Sequence, residues 1–112
     1  MRRSLRLKKR AEFGRVFKQG HTFGDRYMVL FVLFTGKDET KIGVAAQRST
    51  GSAVKRNRVR RRLRALVQSY EDRLVPCGHV VVLGKSAVVS APWETLQRSF
   101  ERLMVKAKCL KS

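Results

Sequence analysis

Ala53-Val54-Lys55-Arg56-Asn57-Arg58-Val59-Arg60-Arg61-Arg62-Leu63-Arg64-Ala65-Leu66-Val67-Gln68-Ser69-Tyr70 carries the strongest periodic pattern in the chain. Val59, Leu63, Leu66, Val67 and Tyr70 recur at i, i+4, i+7, i+8 and i+11, one apolar stripe that predicts a helix over about residues 53–74. Arg48-Ser49-Thr50-Gly51-Ser52 reads as the preceding turn, with Ser52 placed to cap the helix, and Pro76 and Gly78 stop it. At about 100° per residue, with Val59 at zero, the stripe spans roughly −20° to 80°. Asn57, Arg60, Arg61 and Arg64 then fall at roughly 100° to 200°, and Arg56 lies at the seam. One side of this helix packs into a core, and the adjoining side presents guanidiniums one turn apart.

Working outward, Ala11 to Lys18 reads as a short helix, because Phe13, Val16 and Phe17 fall at i, i+3, i+4 and Gly20 is placed to end it. Tyr27 to Phe34 is β-branched and aromatic enough for a strand, and a turn at Gly36-Lys37-Asp38-Glu39 leads to a second strand, Lys41 to Gln47. His21 to Phe23 offers a short extra strand. Beyond the basic helix, His79 to Leu83 is a buried strand, and Ser90-Ala91-Pro92 opens a last helix. Trp93, Leu96, Phe100, Leu103, Met104 and Ala107 share the inner face of that helix. Mixed connections of this kind predict an α+β sandwich with helices over one sheet face.

The chain has 112 residues, one domain's worth, and no linker or repeat divides it, so residues 1–112 are taken as a single domain. Residues 1–8 are basic and are expected to form a flexible arm. With 26 Lys+Arg against 8 Asp+Glu, the net charge is +18. Self-repulsion on that scale works against a compact state and points to a polyanionic partner. Cys77 and Cys109 could form at most one bridge, which suits a reducing cytosol rather than a secreted disulfide scaffold. No apolar segment follows the basic N-terminus and none is long enough to span a membrane, so the chain is expected to be soluble, with no membrane partner.

Lys55 to Arg64 holds seven basic residues in ten, and no acidic residue occurs from Ala53 to Tyr70. A merely solvated helix face mixes signs at i, i+4, so this run calls for phosphates. Arginine's planar fork gives bidentate phosphate contacts and stacks on unpaired bases. Asn57 can read a 2′-OH or a base edge, or tie the helix start to a neighbouring loop. This chemistry favours RNA, and no DNA partner is expected. Phe13, Phe17 and Phe31 sit on elements expected to neighbour the basic helix. They either stack on single-stranded bases or seal the core, and by themselves i, i+4 aromatics favour the core.

No catalytic constellation accompanies the basic helix. The eight carboxylates are scattered, His21 and His79 are isolated, and Cys77 with His79 is too little for a zinc site. No catalytic residue and no metal ligand is therefore assigned. A self-sufficient nuclease is disfavoured on this ground.

Arg56-Asn57-Arg58-Val59-Arg60-Arg61-Arg62-Leu63-Arg64, led by Gly51-Ser52-Ala53-Val54, resembles the arginine-rich helix and Gly-x-Ala-Val lead of the bacterial ribonuclease P protein family. Leu7-Lys8-Lys9-Arg10, Glu12-Phe13, Val16-Phe17-Lys18 and Gly20 resemble that family's opening helix, and Gly43-Val44 its strand before the basic helix. The resemblance spans about residues 5–108. It implies a single-domain α-β-β-β-α-β-α sandwich of the ribosomal protein S5 domain 2 type. It also implies a left-handed βαβ crossover, where right-handed ones are the rule.

The resemblance further implies a cytoplasmic bacterial protein whose partners are the catalytic ribonuclease P RNA and precursor tRNA. The RNA would use Mg²⁺ to hydrolyse a phosphodiester and release the 5′ leader, so the chain would be a non-catalytic subunit of an endoribonuclease. Carried across by position, Arg56, Asn57, Arg60, Arg61 and Arg64 would face the catalytic RNA, with Lys55, Arg58 and Arg48 beside them. Phe13, Phe17 and Phe31 would line a cleft for the leader, which turns the reading of at least Phe17 and Phe31 toward function. Ser49 stands where a basic residue is common, and Ala65 where Glu or Gln is frequent. The alternative is a structural ribosomal or ribosome-assembly protein, which would have no need of an aromatic cleft.

Overall fold

A computed structural model describes residues 5–111. Its elements are α1 (Arg10–Gln19), β1 (His21–Gly24), β2 (Met28–Leu33), β3 (Thr40–Ala46), α2 (Ala53–Ser69), β4 (Gly78–Gly84) and α3 (Trp93–Lys106), in the expected order. Single 3₁₀ turns occur at Arg48–Thr50, Glu71–Arg73 and Ser86–Val89.

The four strands form one sheet in the order β1-β2-β4-β3. β2 pairs antiparallel with both β1 and β4, whereas β3 and β4 run parallel. Parallel neighbours cannot be joined by a hairpin, so α2 serves as the crossover. Register then sorts the side chains. Leu30 lies opposite Val82, and Val44 is in line with Val82 on β3; together with Met28, Val32, Ile42 and Val80 they face the main core beneath α2 and α3. Phe31, Val81 and Gly43 form a row on the opposite face, where Val16 of α1 and Leu7 cover Val81.

The sheet thus has helices on both faces, not one. The physical cause is visible in β2 and β4, which are apolar at nearly every position rather than at alternate ones; a second apolar face needs its own cover. Two glycines permit the close approach. A Cβ on Gly84 would lie 2.4 Å from Val59 Cγ1 of α2, and one on Gly43 would lie 2.3 Å from Phe13 Cζ of α1.

α1 starts where the Lys9 amide donates to Glu12 Oε1 at 3.1 Å, and ends where the Gly20 amide reaches the Val16 carbonyl at 2.8 Å. α2 is shorter than its periodicity suggested. Tyr70 leaves helical geometry (φ −114°, ψ 5°), and its ring packs 5.4 Å from Phe100 while its hydroxyl donates to the Gln97 carbonyl. Tertiary packing of one aromatic therefore overrides the helix, and a 3₁₀ turn follows.

Of the expected N-terminal arm, residues 1–4 lie outside the described residues. Leu7 is buried and its amide donates to the Ile42 carbonyl at 3.0 Å, so the chain is anchored along β3 before residue 8. Cys77 and Cys109 are free and buried; Cys77 Sγ accepts from Thr40 Oγ1 at 3.8 Å, and Cys109 Sγ donates to the Ala107 carbonyl at 3.6 Å. Asp25 ties the β1–β2 turn to α3. It accepts from the Tyr27 and Met28 amides at 2.9 and 3.2 Å, from Ser99 Oγ at 2.5 Å and from Arg102 at 2.6 Å.

Candidate nucleic-acid interface

Ser52 caps α2 by accepting from the Lys55 amide at 3.3 Å, which fixes where the basic run begins. From that start Val59, Leu63, Leu66 and Val67 are all buried, as the stripe requires, while Lys55, Asn57, Arg58, Arg61 and Arg64 are exposed. Arg56 and Arg60 are half-buried and are held locally. Arg56 donates to the Gly51 carbonyl at 2.7 Å, and Arg60 donates to Asn57 Oδ1. Asn57 therefore positions an arginine one turn on, within its own helix rather than through a neighbouring loop. Arg48 is exposed on the turn that packs against α2.

Arg62 departs from the others. It lies at roughly −60°, on the far edge of the stripe. Its guanidinium donates to the Val88 carbonyl at 2.7 Å, fastening α2 to the turn before α3.

A depression of about 430 Å³ on the outer face of α2 is lined by Val54, Asn57, Arg58 and Arg61. Val54 is 77% exposed, an apolar side chain among guanidiniums on a face whose sequence is otherwise polar and basic. The signal was present: Val54 falls at roughly 220°, off the apolar stripe and on the basic face.

The three aromatics divide. Phe17 and Phe31 meet edge to face with ring centroids 4.9 Å apart, and Phe17 is 39% exposed. Phe13 instead seats its ring over Gly43, and shares a small notch at the β3 edge with Arg64 and Arg6. The Phe17–Phe31 pair packs on the sheet face opposite the basic helix, so these two aromatics do not neighbour that helix as expected. Beside Phe31, the row Val29–Leu83–Ala45 lies on the same face as Phe31 and Val81 and remains half-buried. This apolar floor was invisible to periodicity because the whole of β2 and β4 is apolar.

Charge is concentrated by the way the carboxylates are spent. Glu12 caps α1, which holds its carboxyl below the usual range through the Lys9 amide. Glu101 pairs with Arg73, Asp25 with Arg102, and Glu39 lies 3.7 Å from His79. None of these carboxylates stands on α2. Among the described residues, no three His, Cys, Asp or Glu side chains gather as a metal cage, and no helix is long and apolar enough to cross a membrane.

A family model described as Ribonuclease P matches residues 1–108. The ribonuclease P protein component of Shouchella clausii is 35% identical over 111 residues, covering 98% of this chain and 91% of its own. That of Streptococcus pneumoniae is 26% identical over 108 residues, covering 96% and 88%. Among solved structures, the Staphylococcus aureus RNase P protein superposes with a TM-score of 0.80 at 24% identity, over 97% of this chain and 100% of that one. The Thermotoga maritima RNase P protein gives 0.77 at 22% identity, over 90% and 96%.

Proposed function

The chain belongs to the ribonuclease P protein family and is a protein subunit of that tRNA-processing enzyme, and from this premise we propose how its surface serves the holoenzyme. The exposed face of α2 holds the catalytic RNA. Arg58, Arg61 and Arg64, with Arg60 oriented by Asn57, neutralise phosphates, while Lys55 and Arg48 extend the field around the helix start. The observation that carries this reading is the basic run from Lys55 to Arg64, with no acidic residue from Ala53 to Tyr70, rigidly registered by a buried stripe. Neutralising phosphates releases condensed counterions, which makes such binding strong and salt-dependent.

On the opposite sheet face, Phe17 and Phe31 with the floor Val29, Leu83 and Ala45 hold the unpaired 5′ leader of precursor tRNA. An edge-to-face pair leaves ring surface on which a splayed base can stack. Separate faces let one small protein touch two RNAs at once. For the Mg²⁺ that the family implies, no cluster of three or more His, Cys, Asp or Glu side chains is built among the described residues. The ion and the hydrolytic groups are assigned to the RNA, and the protein's own part is binding and positioning, in the bacterial cytoplasm.

The test is precursor-tRNA cleavage at low Mg²⁺ with protein alone, bacterial ribonuclease P RNA alone, and both. Cleavage at the mature 5′ end only when both are present is the expected result. Cleavage by the protein alone would place the chemistry in this chain, and no stimulation of a matched RNA would favour a ribosomal role.

A further inference from the structure

A second aromatic site lies across α1 from the Phe17–Phe31 pair. With Val16 at zero, Phe13 and Phe17 fall at about 60° and 100°, whereas Gln19 and Arg15 fall at about −60° and −100°. On that second flank a cavity of about 320 Å³ is lined by Arg15, Gln19, Phe34, Lys37, Glu39 and His79. Phe34, just past the end of β2, is 54% exposed, and its ring lies 5.8 Å from the His21 ring. A further depression of about 350 Å³ shares Phe34 and Lys37, so open space borders the ring from more than one side. A large aromatic left this exposed on a chain of net charge +18 contributes little to the core and much to a stacking surface.

We propose that this cavity binds one unpaired guanine nucleotide of RNA, separately from the leader cleft and the basic helix. The volume is at the lower end of small-ligand pockets, enough for one base with its sugar. The base stacks on Phe34. Arg15 and Lys37, both exposed at the rim, supply the cations for the flanking phosphates. Glu39 sets the preference: a carboxylate only accepts, and guanine alone among the common bases offers two adjacent N–H donors, N1–H and N2–H, on one edge. Glu39 Oε1 lies 3.7 Å from His79 Nε2, both residues line the cavity, and the Glu39 side chain remains about one-third exposed. The proposal uses the RNA-binding character of the chain but none of the residues assigned to the leader, so the two readings fail independently.

The experiment is a titration of the full-length protein with GMP, followed by backbone amide NMR, with AMP and inorganic phosphate as parallel probes. Saturable shifts at Thr35, Lys37 and Glu39 are expected with GMP and not with phosphate. Phe34→Ala should weaken GMP binding about fivefold or more, and Glu39→Gln should abolish the preference for GMP over AMP. Phe17→Ala should leave these shifts intact; their loss in that variant but not in Phe34→Ala would place the nucleotide in the leader cleft and overturn the proposal. So would the absence of saturable shifts up to ~10 mM GMP. Binding of Phe34→Ala to ribonuclease P RNA and to precursor tRNA, measured separately, identifies which strand supplies the base. If neither weakens, the site is not an RNA site.

Discussion

Arg61 and Arg62 are adjacent in sequence and have different work, because a helix turns each residue by about 100°. Arg61 stands on the exposed face with Asn57 and Arg58, while Arg62 is turned to the Val88 carbonyl. Replacing Arg60 and Arg64 with Ala should therefore lower the slope of log affinity against log salt for ribonuclease P RNA by roughly 0.7–0.9 per lost phosphate contact. An unchanged slope would remove that face from the interface. Phe17→Ala should weaken binding of leader-bearing precursor more than mature tRNA, by about 1–3 kcal/mol for one stacked base; equal losses on both would make Phe17 a packing residue. Asp25 is a partly buried carboxylate through which pH acts on stability. Burial alone would raise its carboxyl, but the hydrogen bonds from Ser99, Tyr27 and Met28 and the charge of Arg102 hold it below the usual value. Its stabilisation is thus present above the unfolded-state pKa and is lost as pH falls through the depressed folded value. Asp25→Ala should cost about 1–3 kcal/mol at neutral pH and flatten the acid limb of a denaturation-versus-pH series; an unflattened limb would relocate the acid sensitivity.

At the scale of the element, α2 joins the core to the exposed basic face, and its register is set from both sides. Ser52 fixes its start, and the contact of Val59 and Leu63 with Gly84 fixes its height over β4. Gly84→Ala should destabilise the protein by about 1–3 kcal/mol through overpacking, readable as a lower midpoint in urea at unchanged slope. A neutral result would mean that α2 can lift from the sheet without cost. The stripe of α2 was legible in sequence because a 3.6-residue period is a local property. Its C-terminus was not, because Tyr70 ends the helix through contacts with Phe100 and Gln97, both some thirty positions away. β2 and β4 were legible as strands, but not which of their apolar residues would stay open.

Across the whole molecule, the sheet works as a partition. The basic helix and the aromatic pair occupy opposite faces of a body with a Cα radius of gyration of 12.8 Å, which sets the two proposed RNA-binding surfaces a domain's thickness apart. The sequence by itself determined the order of elements, the buried stripe of α2 and the composition of the basic face. Those follow from residue type and local period alone. Only the tertiary structure decided that α1 covers the second sheet face, that Phe13 parts from Phe17 and Phe31, that Arg62 is a strut, and that Phe34 opens onto a cavity of its own. Each of these depends on which residues distant in the chain share a strand row or a helix flank, and strand pairing brings such residues together with no trace in local sequence.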